Sequence, residues 1–502
     1  MTTVHCAVRR DTYRDSVELM RIAAELERMP GVTRAALLMA TPANRQLLSG
    51  AGLLASAAVE ARPSDLVIAV AAAEEGTAKD ALAHAERLLA AATSPSGSTE
   101  RQALRTIAEA LAEVPTVNLA IISTPGSYAT AEALKALKRG LHVFLFSDNV
   151  PIEDEIELKR LARKKGLLVM GPDCGTSILD GVPLGFANAV RRGRIGLIGA
   201  SGTGLQQVSC LIDRLGEGVS QLIGVGGRDL DARVGGLMML AAIEVLARDH
   251  NTEVIVLVSK PPAPSVAADV IAHACSSGKP VVVNFLGGEA TMIRQTGVVP
   301  ATTLEDAARA AVALARGEAP SAIDGLDPNL RARARAQAGR FASGQRLVRG
   351  LFSGGTLCQE AALILAQSAG RAAGHTMVDL GDDEFTVGRP HPMIDFRLRS
   401  ERIVAAGMDP STAVILLDVV LGYGAHPDPA GALVPAVERA RATASEAGRA
   451  LALVASVCGT AADPQHLPIQ EDKLAAASVI LAPSNAQAAR LAAALARDAG
   501  EA

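Results

Sequence analysis

The chain has no tryptophan, only three tyrosines and eight phenylalanines, so aromatic residues make up 2% of its 502 positions. That scarcity excludes the stacked aromatic platforms on which nucleic-acid binders seat bases. A net charge of −4 likewise leaves no basic footprint for a phosphate backbone. Cysteine is sparse too: Cys6, Cys174, Cys210, Cys275, Cys358 and Cys458 form no CxxC pair and have no histidine-rich tract beside them. This argues against a disulfide framework and against a zinc site, so no metal is expected. The opening residues MTTVHCAVRRDTYRDSV carry no apolar stretch ahead of their charges, and no uncharged run approaches the roughly 20 residues that a spanning helix needs. The expectation is a soluble cytoplasmic protein with neither nucleic acid nor membrane as partner.

What is present in quantity is apolar residue, at 49%, and glycine, at 46 positions. The length implies two to four domains. Residues 1–93 alternate apolar runs (HCAVRR, TRAALLMAT, SDLVIAVAA) with amphipathic stretches (DSVELMRIAAELERM, AKDALAHAERLLA), the pattern of a small α/β domain. Ser94-Pro95-Ser96-Gly97-Ser98-Thr99 has linker composition. Residues 100–190 follow with NLAIIST, HVFLFSD and GLLVMG between helical segments, which predicts a parallel sheet, and close on the turn-rich GPDCGT. An internal repeat organises the remainder. RIGLIGASGTGLQQVSCLI is matched by RGLFSGGTLCQEAALIL, QLIGVGGRDLD by MVDLGDDEFTVGRP, VIVLVSKPPAP by VILLDVVLGYGAHPDP, and PVVVNFLGG by LALVASVCGT. Two sister α/β domains, 191–325 and 346–502, joined by a polar linker over 326–345, account for it.

Each sister domain opens with a strand, a glycine loop and a helix. A helix N-terminus carries roughly half a positive charge and several free N–H donors, so such a loop presents an anion site. Gly199, Ser201, Gly202 and Thr203 form the first candidate, and Ser353, Gly354, Gly355 and Thr356 the second. No lysine follows either loop as a P-loop requires. A chemically useful repeat needs the two loops to converge, which predicts that Thr203 and Thr356 lie close together. Gly226 and Gly227 precede Arg228, whose guanidinium either clamps a carboxylate or phosphate or ties down its own loop. In Gly388-Arg389-Pro390-His391-Pro392 two prolines fix the backbone around Arg389 and His391, which suits a preorganised cationic site. Gly422, Tyr423 and Gly424 follow an apolar strand, with His426 beside them as a hydrogen-bond donor or proton shuttle. Asp418, inside that strand, reads as a loop-orienting carboxylate, and Cys174 as a buried thiol.

GPDCGT, GASGTG, IGVGGRDLD, SKPPAP and VDLGDDEFTVGRPHPMID, in that order, closely resemble the FdrA family over essentially the whole chain. That family resembles the alpha subunit of succinyl-CoA synthetase and the ADP-forming acyl-CoA synthetases. The resemblance implies a CoA-binding-like Rossmann domain over 100–190 and two flavodoxin-like, succinyl-CoA synthetase-type domains after it. It also implies that the two loops aim at a phosphorylated species.

The departures from that pattern are specific. The synthetases carry a phosphorylated histidine in a Gly-His-Ala-Gly segment, where this chain reads GGEATMIRQTGVVP; an assisting glutamate would fall near Ser259-Lys260, and no stretch is long enough for an ATP-grasp domain. The N-terminal domain also lacks a CoA-type glycine loop. What the resemblance then implies is direct acyl transfer to or from phosphate: phosphorolysis of oxalurate to oxamate and carbamoyl phosphate, in purine (allantoin) catabolism. Phosphate or carbamoyl phosphate is the substrate and no cofactor is needed; Arg228 or Arg389 would clamp the carboxylate, and His426 or His391 would be the general acid. The rivals are an acyl-CoA synthetase subunit, for which CoA would bind, and a non-catalytic anion-sensing scaffold. A homo- or hetero-oligomer with other subunits of the pathway is expected.

Overall fold

The computed structural model describes residues 3–14, 16–91, 104–288, 298–321, 325–342, 344–368, 374–386 and 390–501. They fall into two units, Met1–Arg105 with Thr386–Pro390, and Thr106–Phe385 with His391–Ala502. Among the described residues no helix is long and apolar enough to cross a membrane.

The first unit is a three-stranded antiparallel sheet of β1 (Thr3–Arg9), β2 (Val32–Met39) and β3 (Leu66–Ala72), in the order β1-β3-β2. Seven consecutive apolar residues make β3 the central strand, buried throughout. Ile68 and Val70 pack with Leu19, Leu26, Ala81 and Ala85 of the helices Ser16–Glu27 and Glu75–Ala91, while Val67 and Ala69 pack with Leu48 and Leu53.

The second unit holds three sheets. β4 (Leu119–Ile122), β5 (His142–Leu145) and β6 (Val169–Met170) are parallel and adjacent in chain order. The next two strands depart from the expected domain limit at 190. β7 (Thr176–Leu179) and β8 (Val182–Gly185) form a hairpin that pairs with β10 of the following sheet. The hairpin turn is Asp180-Gly181, both at positive φ (52° and 80°), the geometry a two-residue turn of the Asp-Gly kind takes.

The sister domains then repeat one topology. The first has β9 (Arg192–Ala200), β10 (Val219–Gly224), β11 (Val254–Ser259), β12 (Val281–Phe285) and β13 (Val299–Pro300); the second has β14 (Leu347–Phe352), β15 (Thr376–Asp379), β16 (Thr412–Val420), β17 (Ala452–Cys458) and β18 (Ile480–Ala482). Their parallel strands run β10-β9-β11-β12-β13 and β15-β14-β16-β17-β18, each a 2-1-3-4-5 doubly wound order. In such sheets ligands bind beyond the carboxyl ends of the strands where the order reverses, which is where both glycine loops emerge, after β9 and β14. Both strands are apolar on two faces because helices cover both sides. One core is continuous between the sisters, from Leu205, Val208 and Ala308 to Leu357, Ala361, Leu365 and Ala489. The joint at 326–345 is more ordered than its polar composition suggests. It contains the helix Pro328–Ala338, N-capped by Asp327, with Leu330 and Ala334 buried in that core.

Candidate functional site

The two loops converge. The first loop helix, Gly202–Arg214, is capped by Ser201, whose hydroxyl accepts from the Gly204 N–H; the second, Gly355–Ser368, begins after Gly354. The Ser201 and Thr356 hydroxyls are hydrogen-bonded to each other across the two domains at 2.6 Å, both buried. Thr203 packs on Gly354 so closely that a Cβ there would sit 2.9 Å from its methyl group. Thr203 and Thr356 are thus carried on loops that touch, through the Ser201–Thr356 and Thr203–Gly354 contacts. The first N–H groups of each helix, including those of Gly202, Thr203, Gly355 and Thr356, have no intrahelical carbonyl to serve, so two positive helix ends face one small volume.

The second loop is held by a carboxylate. Asp418, fully buried in β16, accepts from the Ser353 N–H at 2.9 Å, the Gly354 N–H at 2.8 Å and the Ser353 hydroxyl at 3.1 Å. Its charge is balanced by the equally buried Arg399, 2.6 Å away, which also donates to the Leu351 carbonyl. The loop-orienting role read from sequence is what the geometry gives Asp418.

Three charged residues that sequence reasoning left outside the site line it. Lys260, just past β11, and Asp379, at the end of β15, both lie against Gly355: a Cβ there would be 2.3 Å from Asp379 Oδ2 and 3.3 Å from Lys260 Nζ. Desolvation first, then the neighbouring Asp418 and Asp382, pushes the Asp379 carboxyl up to about 6, against the pull of the Gly381 N–H and Lys260. Asp173, in GPDCGT, keeps a solvent-facing side but is ringed by protein. That desolvation, followed by repulsion from Asp148 and Asp383, pushes it up to about 6 as well, with Lys260 and Arg228 opposing. Each of the three is a charged residue at or within three positions of the end of a strand: Lys260 directly after β11, Asp379 as the last residue of β15, and Asp173 three residues past β6.

Other candidates take different places. His391 is close to Asp379: the Cβ position of Gly381 lies 2.8 Å from its Nε2 and 3.2 Å from Asp379 Oδ1. Its Nδ1 accepts from the Met393 N–H, and burial pushes it down to about 4, so it is neutral at pH 7 and cannot serve as an imidazolium acid. His426 receives its own turn's Asp428 N–H on Nδ1, and its ring stands edge-on to Phe396 at 5.4 Å. Arg228 pairs with the buried Glu155 at 2.9 Å and donates to the Val150 carbonyl, which ties down its loop. Asp229 belongs to the buried Lys159, 2.8 Å away. Gly226 and Gly422 admit close backbone contact rather than ligand: a Cβ would come within 2.5 Å of the Pro172 carbonyl at the first and 2.4 Å of the Phe186 carbonyl at the second. Gly227 is open, with nothing nearer than Asp173 Oδ2 at 4.0 Å. Gly424 packs on the Phe186 ring, and Tyr423 donates its N–H to the Ala187 carbonyl while its side chain is exposed. Arg389 lies outside the described residues, as do 289–297 of the GGEATMIRQTGVVP segment. Cys174 is buried, and its thiol is pushed up to about 11 by that burial, which makes it unreactive.

Three family models match: "AllF, heavy metal-associated domain" over residues 1–122, "CoA binding domain" over 190–288 and "CoA-ligase" over 351–495. The CoA-binding match falls on the first sister domain, not on 100–190. Residues aligned over 98% of both chains are 43% identical to the uncharacterized protein YahF of Escherichia coli. The succinate–CoA ligase [ADP-forming] subunit alpha 2 of Archaeoglobus fulgidus is 26% identical over 36% of this chain and 63% of its own length. The malate–CoA ligase subunit alpha of Methylorubrum extorquens is 25% identical over 43% and 75%. With its sister ligase-type domains, its AllF-type N-terminus and its near full-length relative, the chain belongs to the FdrA family, related to the alpha subunit of succinyl-CoA synthetase.

Proposed function

We propose that the chain transfers a carbamoyl group directly between inorganic phosphate and an amide, as in phosphorolysis of oxalurate to oxamate and carbamoyl phosphate. The observation that carries this is the meeting of two helix N-termini at Ser201 and Thr356, with Lys260 beside them, in a chain that has no histidine in the segment where the related synthetases are phosphorylated. Phosphate held on the N–H groups of Gly202, Thr203, Gly355 and Thr356 presents one oxygen to the carbamoyl carbon. That oxygen forms the new O–C bond, and the carbonyl oxygen takes the negative charge, which Lys260 and the helix ends offset. Collapse breaks the C–N bond, and the leaving amide nitrogen takes a proton. Asp379, whose carboxyl is pushed up to about 6, is better suited to give it than His391, which burial keeps neutral.

A second reading, an ADP-forming acyl-CoA ligase subunit, is favoured by the CoA-binding and CoA-ligase matches and by the succinate and malate ligase relatives. It requires CoA and a phosphoryl carrier. Incubation with labelled ATP, phosphate or carbamoyl phosphate, followed by assay for acid-labile, base-stable label on this chain, separates the two. Direct transfer expects no such label and carbamoyl phosphate from oxalurate and phosphate. Stoichiometric phosphohistidine overturns it in favour of the ligase.

A further inference from the structure

The geometry points to a second anion site, for a small molecule carrying two or more phosphate or carboxylate groups, in an arginine-lined cavity of about 590 Å³ between the helices Leu304–Ala315 and Pro328–Ala338 and the start of Asn485–Glu501. It is formed by other residues than the facing loops and is independent of the carbamoyl-transfer proposal. Its volume falls in the range of small-molecule sites.

Three guanidinium groups line it: Arg309, Arg331 and Arg335. Arg331 and Arg335 are one helical turn apart and so share a face of their helix, where like charges repel. Two carboxylates also line the cavity: Glu305 offsets the charge of Arg309, and Asp327 is taken up as the helix cap. Glu305, buried, binds Arg309 at 3.1 Å and accepts from the Ser484 hydroxyl at 2.8 Å. Asp327 accepts from the Asn329 and Leu330 N–H groups as the helix cap. Among the described residues Arg331 and Arg335 make no ion pair. Gln487, which could have met them, is spent on the Asp327 N–H and the Gly325 carbonyl.

Gly325, in the turn before the helix, has φ +90°, so a side chain there would strain the backbone; a Cβ would stand in ordinary contact with Arg331 Nη2 at 3.5 Å. The planar donors of Arg331 and Arg335, which have no ion-pair partner among the described residues, fit bidentate capture of phosphate or carboxylate oxygens. Among the described residues the lining contains no aromatic side chain to stack a nucleobase. The recognised part of the ligand is its charge.

The test is isothermal titration of the full chain with inorganic pyrophosphate and, separately, with citrate, each against NaCl of matched ionic strength. The Arg331→Gln/Arg335→Gln double variant changes two exposed side chains and is expected to fold, checked by an unchanged melting temperature without ligand. Lys260→Gln reports binding at the facing loops. We expect tight binding of at least one probe, weakened tenfold or more by the double variant and retained in Lys260→Gln; the tighter probe then assigns phosphate or carboxylate as the ligand chemistry. Binding unaffected by the double variant, binding lost in Lys260→Gln alone, or no heat beyond the NaCl control overturns the site. None of these outcomes bears on carbamoyl transfer, which is read by product formation.

Discussion

The sister domains share one topology and differ at the two positions that decide the charge of their loops. In the first, Gly199 of β9 pairs in register with Gly224 of β10 and Val258 of β11. In the second, Phe352 of β14 stands opposite Asp379 of β15, and Asp418 is the next residue of β16 after the Leu351–Leu417 pair. Glycine and valine on one side thus become two carboxylates on the other. Val258 lies under Gly204, within 2.9 Å of where a Cβ would be, and leaves the first loop neutral. Asp418 consumes two N–H groups of the second loop and needs the buried Arg399 to balance it. A duplicated loop has therefore become asymmetric. The first offers open N–H donors and Lys260, and the second offers a fixed hydroxyl at Thr356 and a carboxyl pushed up to about 6 at Asp379.

The largest effect is expected where that asymmetry is buried. Asp418→Val or Arg399→Met leaves its partner charged and unpaired, and each is expected to cost about 3–5 kcal/mol in urea denaturation. The double replacement Asp418→Val/Arg399→Met copies the valine of the first domain and is expected to cost less than either single change. If the double equals the sum of the singles, the two residues do not act as one unit.

A smaller loss is expected from Lys260→Gln. Removing a charged donor from the facing loops should weaken phosphate binding by about 1.5–3 kcal/mol in calorimetric titration, and unchanged affinity would take Lys260 out of the site. Smaller again is the pH response of Asp379. Its folded value, about 6, lies above the ordinary carboxyl value of 3.8, so between those limits the folded state holds more protons than the unfolded one. Stability from this group is full below about pH 4 and is lost as pH rises to about 6. Asp379→Asn should therefore gain on the order of 1 kcal/mol at pH 7, the carboxyl being partly solvated, and nothing at pH 3.5, as read from melting curves at both values. His391, held down at about 4, works in the opposite direction: its stabilisation is present above about 6.5 and is lost as pH falls to about 4. The smallest change is expected at Arg228→Lys. Its guanidinium is half exposed and paired with Glu155, so both stability and turnover should stay within about 1 kcal/mol. A larger fall in turnover would return Arg228 to the role of substrate clamp.

The alternation of apolar runs with amphipathic stretches, the glycine loops and the internal repeat were legible in the sequence because each is a local pattern that backbone geometry enforces. β3, a continuous apolar run, had to be a buried strand, and two copies of strand, glycine loop and helix had to build two similar sheets. The Asp180-Gly181 turn, which was not read from the sequence, is equally local, but a turn of that kind specifies only a hairpin. That β7 and β8 join the sheet of β10 rather than that of β6 is a pairing between distant strands, which no local pattern specifies. The same limit applied to the site. Arg228 and Arg389, His391 and His426 look alike as cations in glycine- and proline-rich segments; only burial holds the His391 ring neutral, and only Glu155 ties down Arg228. Lys260, Asp173 and Asp379 are separated by more than 200 positions from first to last. Tertiary packing gathers them at two facing helix ends and, by removing water, moves two ordinary carboxyls to about 6.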